Sequence, residues 1–154
     1  MPMFPNVQGS DLTGRSFRLP HDFEGDLNIA LIVFTDYQQR SADTWLPAVK
    51  SLAVRYPQLI AYELPVVPDY GLAQRMFLDG IMRAFITDTA TRKATITLYV
   101  DQAEFCNAAG LPGMETIYTL LVDRAGQILW RAAGVYTREA GADLESVIMR
   151  LQVV

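Results

Sequence analysis

The sequence holds one cysteine, Cys106, and one histidine, His21, in 154 residues. A single thiol excludes an intramolecular disulfide, and no His/Cys cluster has metal-ligand spacing, so no metal is expected. Long apolar runs are missing too. None reaches the ~20 residues that span a bilayer, so no transmembrane segment is expected. The start, Met1-Pro2-Met3-Phe4-Pro5-Asn6, lacks the basic flank and apolar core of a secretory leader, which points to a cytoplasmic protein. Lysine and arginine form no cluster and the net charge is −4. Phosphate neutralisation therefore has no footprint, and a nucleic-acid partner is not expected. Glycine-rich phosphate loops are absent as well. After Phe34 the chain reads Thr35-Asp36-Tyr37-Gln38-Gln39, and no glycine follows until Gly71. A Rossmann or P-loop nucleotide site needs glycines at such a strand end. No cofactor is expected.

What is present is enough apolar material for a core. Apolar residues make up 51% and charged residues 19% of the chain. A chain of this length buries roughly 70% of its unfolded surface, so 1–154 is expected as a single domain, with 1–9 a flexible lead-in. Asp11-Leu12-Thr13-Gly14 is a hairpin turn, followed by a short strand at Ser16-Phe17-Arg18-Leu19-Pro20. Leu27 to Phe34 has seven apolar residues in eight, the pattern of a central strand covered on both faces. A helix is expected from about Asp43, its N-cap candidate, with Leu46, Val49, Ala53 and Tyr56 on one face and Pro47 kinking its first turns. Leu59 to Val67 is a second apolar strand, interrupted by Glu63 and Pro65.

Leu72 to Ile86 then reads as a helix apolar enough to be covered on more than one side. Gly80 near its middle points to a close packing approach or a kink. Asp88 to Lys93 reads as a polar loop and Ala94 to Asp101 as a strand. A short helix carries Cys106 and ends at Gly110. Ile117 to Asp123 and Gln127 to Ala133 form a hairpin around Arg124-Ala125-Gly126, and a helix from Arg138 to Leu151 closes the chain. This order predicts a three-layer α/β/α fold with a mixed central sheet, an N-terminal β-hairpin, and a C-terminal β-hairpin plus helix.

The frame resembles the thioredoxin-like superfamily, in particular its peroxiredoxin-like and thiol-disulfide oxidoreductase branches. Those proteins run from a strand ending in Phe into a Trp-Cys-x-x-Cys loop and a helix carrying Leu-Pro. Counted without gaps from Phe34 to Leu46-Pro47, the resemblance places the two cysteines at Gln39 and Ala42. It also implies a cis-proline before a Thr-x-x-Leu-Ile-Asp-x-x-Gly-x-Ile frame. Thr116-Ile117-Tyr118-Thr119-Leu120-Leu121-Val122-Asp123 fits that frame, with Ile117 at the proline position. Val33 stands where thioredoxin has a buried aspartate. The CxxC is lacking together with its auxiliaries, so disulfide exchange has no nucleophile, resolving thiol or proton path here. A narrower resemblance is to the cysteine-free assembly factors of mitochondrial ATP synthase. It rests on Tyr62-Glu63-Leu64-Pro65-Val66, Asp79-Gly80-Ile81-Met82-Arg83 and Thr97-Leu98-Tyr99-Val100-Asp101. Tyr118 to Asp123 and Gly126-Gln127-Ile128-Leu129-Trp130 extend it. It implies an assembly or chaperone role without catalysis.

The resulting expectation is a redox-inactive, thioredoxin-like protein-binding module, more readily an assembly factor than an enzyme. Its candidate binding residues are Asp36, Tyr37, Gln38, Gln39, Arg40, Ala42, Trp45 and Ile117. Trp45 either anchors an interface or packs on Val49 at the core margin. The alternative is an enzyme of peroxiredoxin-like descent, using Cys106 as its thiol or a non-thiol polar site in the 35–40 loop. Against it, a thiol beside Phe105 reads as a small buried hydrophobe. Asp79 and Arg83, four apart, read as a surface ion pair. Glu63 in an apolar strand needs Arg83 or an exposed edge to carry its charge. The Met-rich 72–86 helix also allows a homodimer.

Overall fold

Asp11 closes the first turn of the chain with its own side chain. In the computed structural model, which describes residues 2–151, its buried carboxylate accepts from the amides of Thr13 and Arg15 and from the Thr13 hydroxyl. Gly14 takes φ 93° there, and Val7–Asp11 (β1) pairs antiparallel with Ser16–Leu19 (β2). Leu27–Val33 (β3) is buried at every position. Its one polar residue, Asn28, satisfies its amide on the Gly25 backbone and on the Val122 carbonyl.

Gln39–Asp43 (α1), Leu46–Arg55 (α2), Leu59–Val67 (β4), Leu72–Phe85 (α3) and Thr89–Ala94 (α4) follow. Then come Ile96–Tyr99 (β5), Gln102–Ala109 (α5), Tyr118–Asp123 (β6), Ile128–Ala133 (β7) and Arg138–Leu151 (α6). Among the described residues the strands form one mixed sheet in the order β2-β1-β5-β4-β3-β6-β7. The β3–β4 and β4–β5 pairs are parallel and the other pairs antiparallel. Alternation along β3 divides the core. Ile29, Leu31 and Val33 join Val49 and Leu52 of α2 and Leu144 and Ile148 of α6. Ala30, Ile32 and Phe34 join Phe105 and Cys106 of α5 with Phe4, Phe17 and Phe23. Helices therefore cover both faces of the sheet, and the expected three-layer α/β/α architecture is present.

Four local expectations need correction. Residues 88–93 were expected as a loop, but most of them lie in α4, which Asp88 caps by accepting from the Thr91 amide. The helix expected from Asp43 has an earlier forerunner: Asp36–Gln38 makes a 3₁₀ turn that leads into α1. Pro47 accounts for the break that follows. It has no N–H for the Asp43 carbonyl, and its ring would crowd that carbonyl, so α1 stops at Asp43. A new helix starts with Pro47 in its first turn, where the missing donor is harmless. Asp43 thus ends a helix instead of capping one. The described part of the lead-in is also packed. Phe4 is buried edge-on against Phe23 and Phe105, its amide donates to the Gly126 carbonyl, and the Ile128 amide donates to the carbonyl of Pro2. Lastly, α3 buries none of its side chains, and a Cβ added at Gly80 would meet nothing within 4 Å. Gly80 therefore serves no close approach.

Candidate functional site

The loop after β3 is held by two glutamines that take up the backbone of Phe34. Its amide donates to Gln38 Oε1 at 2.8 Å, and its carbonyl accepts from Gln102 Nε2 at 2.9 Å. Gln38 Nε2 goes on to the Met114 carbonyl at 2.7 Å, while Gln102 also reaches the Val66 carbonyl at 2.8 Å. Gln38 is therefore a buried clamp and not a ligand contact. Asp36, Tyr37, Gln39 and Arg40 are exposed, Tyr37 at 95%. Ala42, Trp45 and Ile117 have no exposed surface at all. Trp45 donates through Nε1 to the Gly134 carbonyl at 2.9 Å and packs edge-on against Trp130 and Tyr136. It supports the loop from below and offers nothing to a partner.

Of the exposed loop residues, Gln39 reaches β4. Gln39 Nε2 donates to Glu63 Oε1 at 2.7 Å and to Asp43 Oδ1 at 3.0 Å, so one amide bridges two carboxylates. Burial pushes the Glu63 carboxyl above its ordinary value; the Gln39 bond opposes that rise, and the charge of Asp43 adds to it. Neither ion pair expected for Arg83 forms. Glu63 takes Gln39, and Asp79 accepts from the Tyr99 hydroxyl at 2.9 Å. Burial, then that bond, pushes the Tyr99 hydroxyl upward.

Helix α3 completes the surroundings, and its amphipathicity is inverted. The sheet beneath it presents Thr97 and Tyr99, because Ile96 and Leu98 of β5 point into the opposite face. Onto this polar floor α3 sets Arg75, Asp79 and Met82. The Arg75 guanidinium lies 5.2 Å from the Tyr99 ring centroid, and Met82 Sδ accepts from the Thr97 hydroxyl at 3.7 Å. Leu72, Met76, Phe77, Ile81 and Phe85 turn outward, with Phe77 68% and Phe85 84% exposed. Between the start of α2, β4 and the C-terminal half of α3 lies a groove of about 500 Å³. Leu46, Pro65, Ile81 and Phe85 are among its walls, and Asp36, Gln39, Asp43 and Glu63 supply polar groups. A cavity of about 720 Å³ lies on the other side of α3, against the β1–β2 hairpin. The groove walls were missed in the sequence, although Ile81 and Phe85, four apart on the side of α3 away from Arg75 and Asp79, carry the signal.

Solved structures share this architecture. Yeast Sco1 with copper bound superposes at a TM-score of 0.64 with 15% identity, over 100% of this chain and 95% of that one. BsSco, a member of the Sco family of cytochrome c oxidase assembly proteins, gives 0.63 and 12%, covering 99% and 95%. The exposed lipoprotein thioredoxin Etrx1 of Streptococcus pneumoniae gives 0.60 and 13%, covering 94% and 99%. The chain has the thioredoxin-like fold. No protein-family model matches it, and no curated protein matches its sequence.

Within this thioredoxin-like frame, Gln39 and Ala42 hold the cysteine positions that the resemblance assigns, and they lie at the groove and beneath the loop respectively. Cys106 lies on the other sheet face, in the cluster of Phe4 and Phe105, whereas Ala42, Trp45 and Ile117 belong to the cluster of α2 and α6. Burial, then the charge of Glu115, pushes its thiol upward. His21 is an exposed turn residue bonded to Asp22. Among the described residues no group of three or more His, Cys, Asp or Glu side chains could hold a metal ion. Among them, too, no helix is long and apolar enough to cross a membrane.

Proposed function

We propose that the chain is a redox-inactive binding or assembly module that acts through protein–protein contacts. The observation that carries this reading is the groove. It opens beside the thioredoxin-like loop and keeps Ile81 and Phe85 exposed to solvent, while the cysteine positions hold a glutamine and an alanine. Apolar side chains left uncovered at a concave site favour a partner over water. The assembly role printed for the Sco family is carried over on fold alone and belongs to the proposal, as does a cytoplasmic location. Chemistry at Cys106 is disfavoured by its burial and raised thiol. The test is parallel affinity capture with the wild-type chain and Phe85→Asp, alongside a disulfide-reduction assay. A partner held by the wild type and lost by the variant is the expected result. Equal recovery by both chains, or disulfide turnover, would overturn the reading.

A homodimer belongs to the same proposal, because Leu72, Met76 and Phe77 are exposed along α3 outside the groove. Sedimentation of the wild type as a dimer and of Phe77→Asp as a monomer is the expected outcome. A wild-type monomer at high concentration removes it.

A further inference from the structure

We infer that the groove takes an apolar peptide segment carrying one basic residue, whose charge sits against Glu63. The inference rests on the protein-contact reading above and names the chemistry of the partner. Its basis is the mismatch between the walls and the polar groups of one cavity. Leu46, Pro65, Val67, Ile81, Phe85 and Ile86 make the walls apolar and call for apolar flanks in the occupant. Asp36, Asp43 and Glu63 line the same groove, and no lysine, arginine or histidine lines it with them.

The cations of the adjoining elements are engaged or placed elsewhere. Arg92 donates to the carbonyls of Ile86 and Arg83, and Arg40, Lys50 and Arg83 lie outside the lining. Inside, a single amide nitrogen, that of Gln39, serves both Asp43 and Glu63. Glu63 receives no other side-chain hydrogen bond among the described residues. The site therefore carries carboxylate acceptors in excess of donors, in a concave space where water is partly excluded. An ammonium or guanidinium supplies those donors as charge-assisted hydrogen bonds. A phosphate, an anionic headgroup or an acidic peptide meets the same carboxylates as repulsion. The volume of about 500 Å³ lies within the range of ligand pockets, and a peptide laid along it also covers the exposed Phe85.

The test uses end-blocked apolar peptides of about eight residues, differing only in a central lysine, norleucine or glutamate, titrated against the full chain by fluorescence anisotropy. The lysine peptide is expected to bind about tenfold tighter than the norleucine peptide, with the glutamate peptide weakest. That advantage should shrink as salt rises, and in Glu63→Gln it should fall to within about twofold. Phe85→Ala should weaken the lysine and norleucine peptides alike. Equal binding of these two peptides to the wild type overturns the charge assignment and leaves the binding reading standing. A lysine advantage that survives Glu63→Gln moves the charge seat elsewhere and also overturns it. Hexylammonium binding as tightly as the lysine peptide makes the occupant a small amine and overturns the peptide. If none of the three peptides binds, the inference fails, while partner loss with Phe85→Asp would still uphold the protein-contact reading.

Discussion

Gln39 donates to Glu63 across 2.7 Å, linking the loop position where the resemblance puts the first cysteine to the middle of β4. That bond and the one to Asp43 are what hold a partly buried carboxylate in an apolar groove. Burial raises the Glu63 pKa in the folded state, so the native protein holds its proton to higher pH than the unfolded chain does. Between the two values the native state binds more protons, and stability falls as pH rises through that window. The part of the urea midpoint that depends on Glu63 is expected to decline from the ordinary carboxylate range up to the raised Glu63 value, against the opposite trend from Asp22, Asp69, Asp88 and Glu145, which their hydrogen bonds hold low. Glu63→Gln should flatten that decline, and matching profiles for the two proteins would refute the assignment.

Gln38 is the structural member of the loop. Gln38→Ala leaves the buried Phe34 amide without its acceptor and frees the Met114 carbonyl. A cost of roughly 1–3 kcal/mol is expected in chemical denaturation. The neighbouring Tyr37→Ala, at a 95% exposed side chain, should stay within about 0.5 kcal/mol of wild type.

Trp45 is a core residue whose one polar atom is already spoken for by Gly134. Trp45→Ala should cost about 3–5 kcal/mol by opening a cavity between Trp130 and Tyr136. Trp45→Phe should cost less and yet lose the Gly134 bond. A mild effect of Trp45→Ala on the denaturation midpoint would contradict this packing.

Much of the fold was legible because it follows from strong, local patterns. The apolar run of β3, the Asp11 to Gly14 turn and the spacing of Leu144, Val147, Ile148 and Leu151 in α6 each have one physical solution. The site was less legible because its residues meet only in three dimensions. Gln102 reaches Phe34 from 68 positions away, and Met114 meets Gln38 from 76. The composition of α3 suggested burial on several sides, since apolar content does not say which way a helix face turns. The exceptions, Arg75 and Asp79 at i and i+4, marked the side that faces Tyr99. Phe4 is hard to read as an anchor because two prolines and an asparagine disguise a segment that one aromatic ring holds.

Cys106 should alkylate slowly. Its thiol is buried and pushed upward, so iodoacetamide at neutral pH is expected to react at least about tenfold slower with the native chain than with the denatured chain. Comparable rates would expose the thiol and revive its candidacy as a nucleophile.

Gly80 can be replaced without a clash, because nothing lies within 4 Å of an added Cβ and its φ is not positive. Gly80→Ala should favour the helix by about 1 kcal/mol, read as roughly fivefold slower amide exchange within Leu72–Phe85.

The polar floor under α3 also has a consequence for motion. In most folds, lifting a helix from its sheet wets an apolar surface and draws a hydrophobic penalty. Here the surface uncovered would be Thr97 and Tyr99, groups that water can hydrogen-bond in place of Met82 and Asp79. The core clusters on both faces of the sheet contain no α3 side chain and would stay closed. Helix α3 is thus held to the sheet chiefly through polar contacts, so substitutions at Thr97 or Tyr99 act on the groove wall and leave the two core clusters untouched.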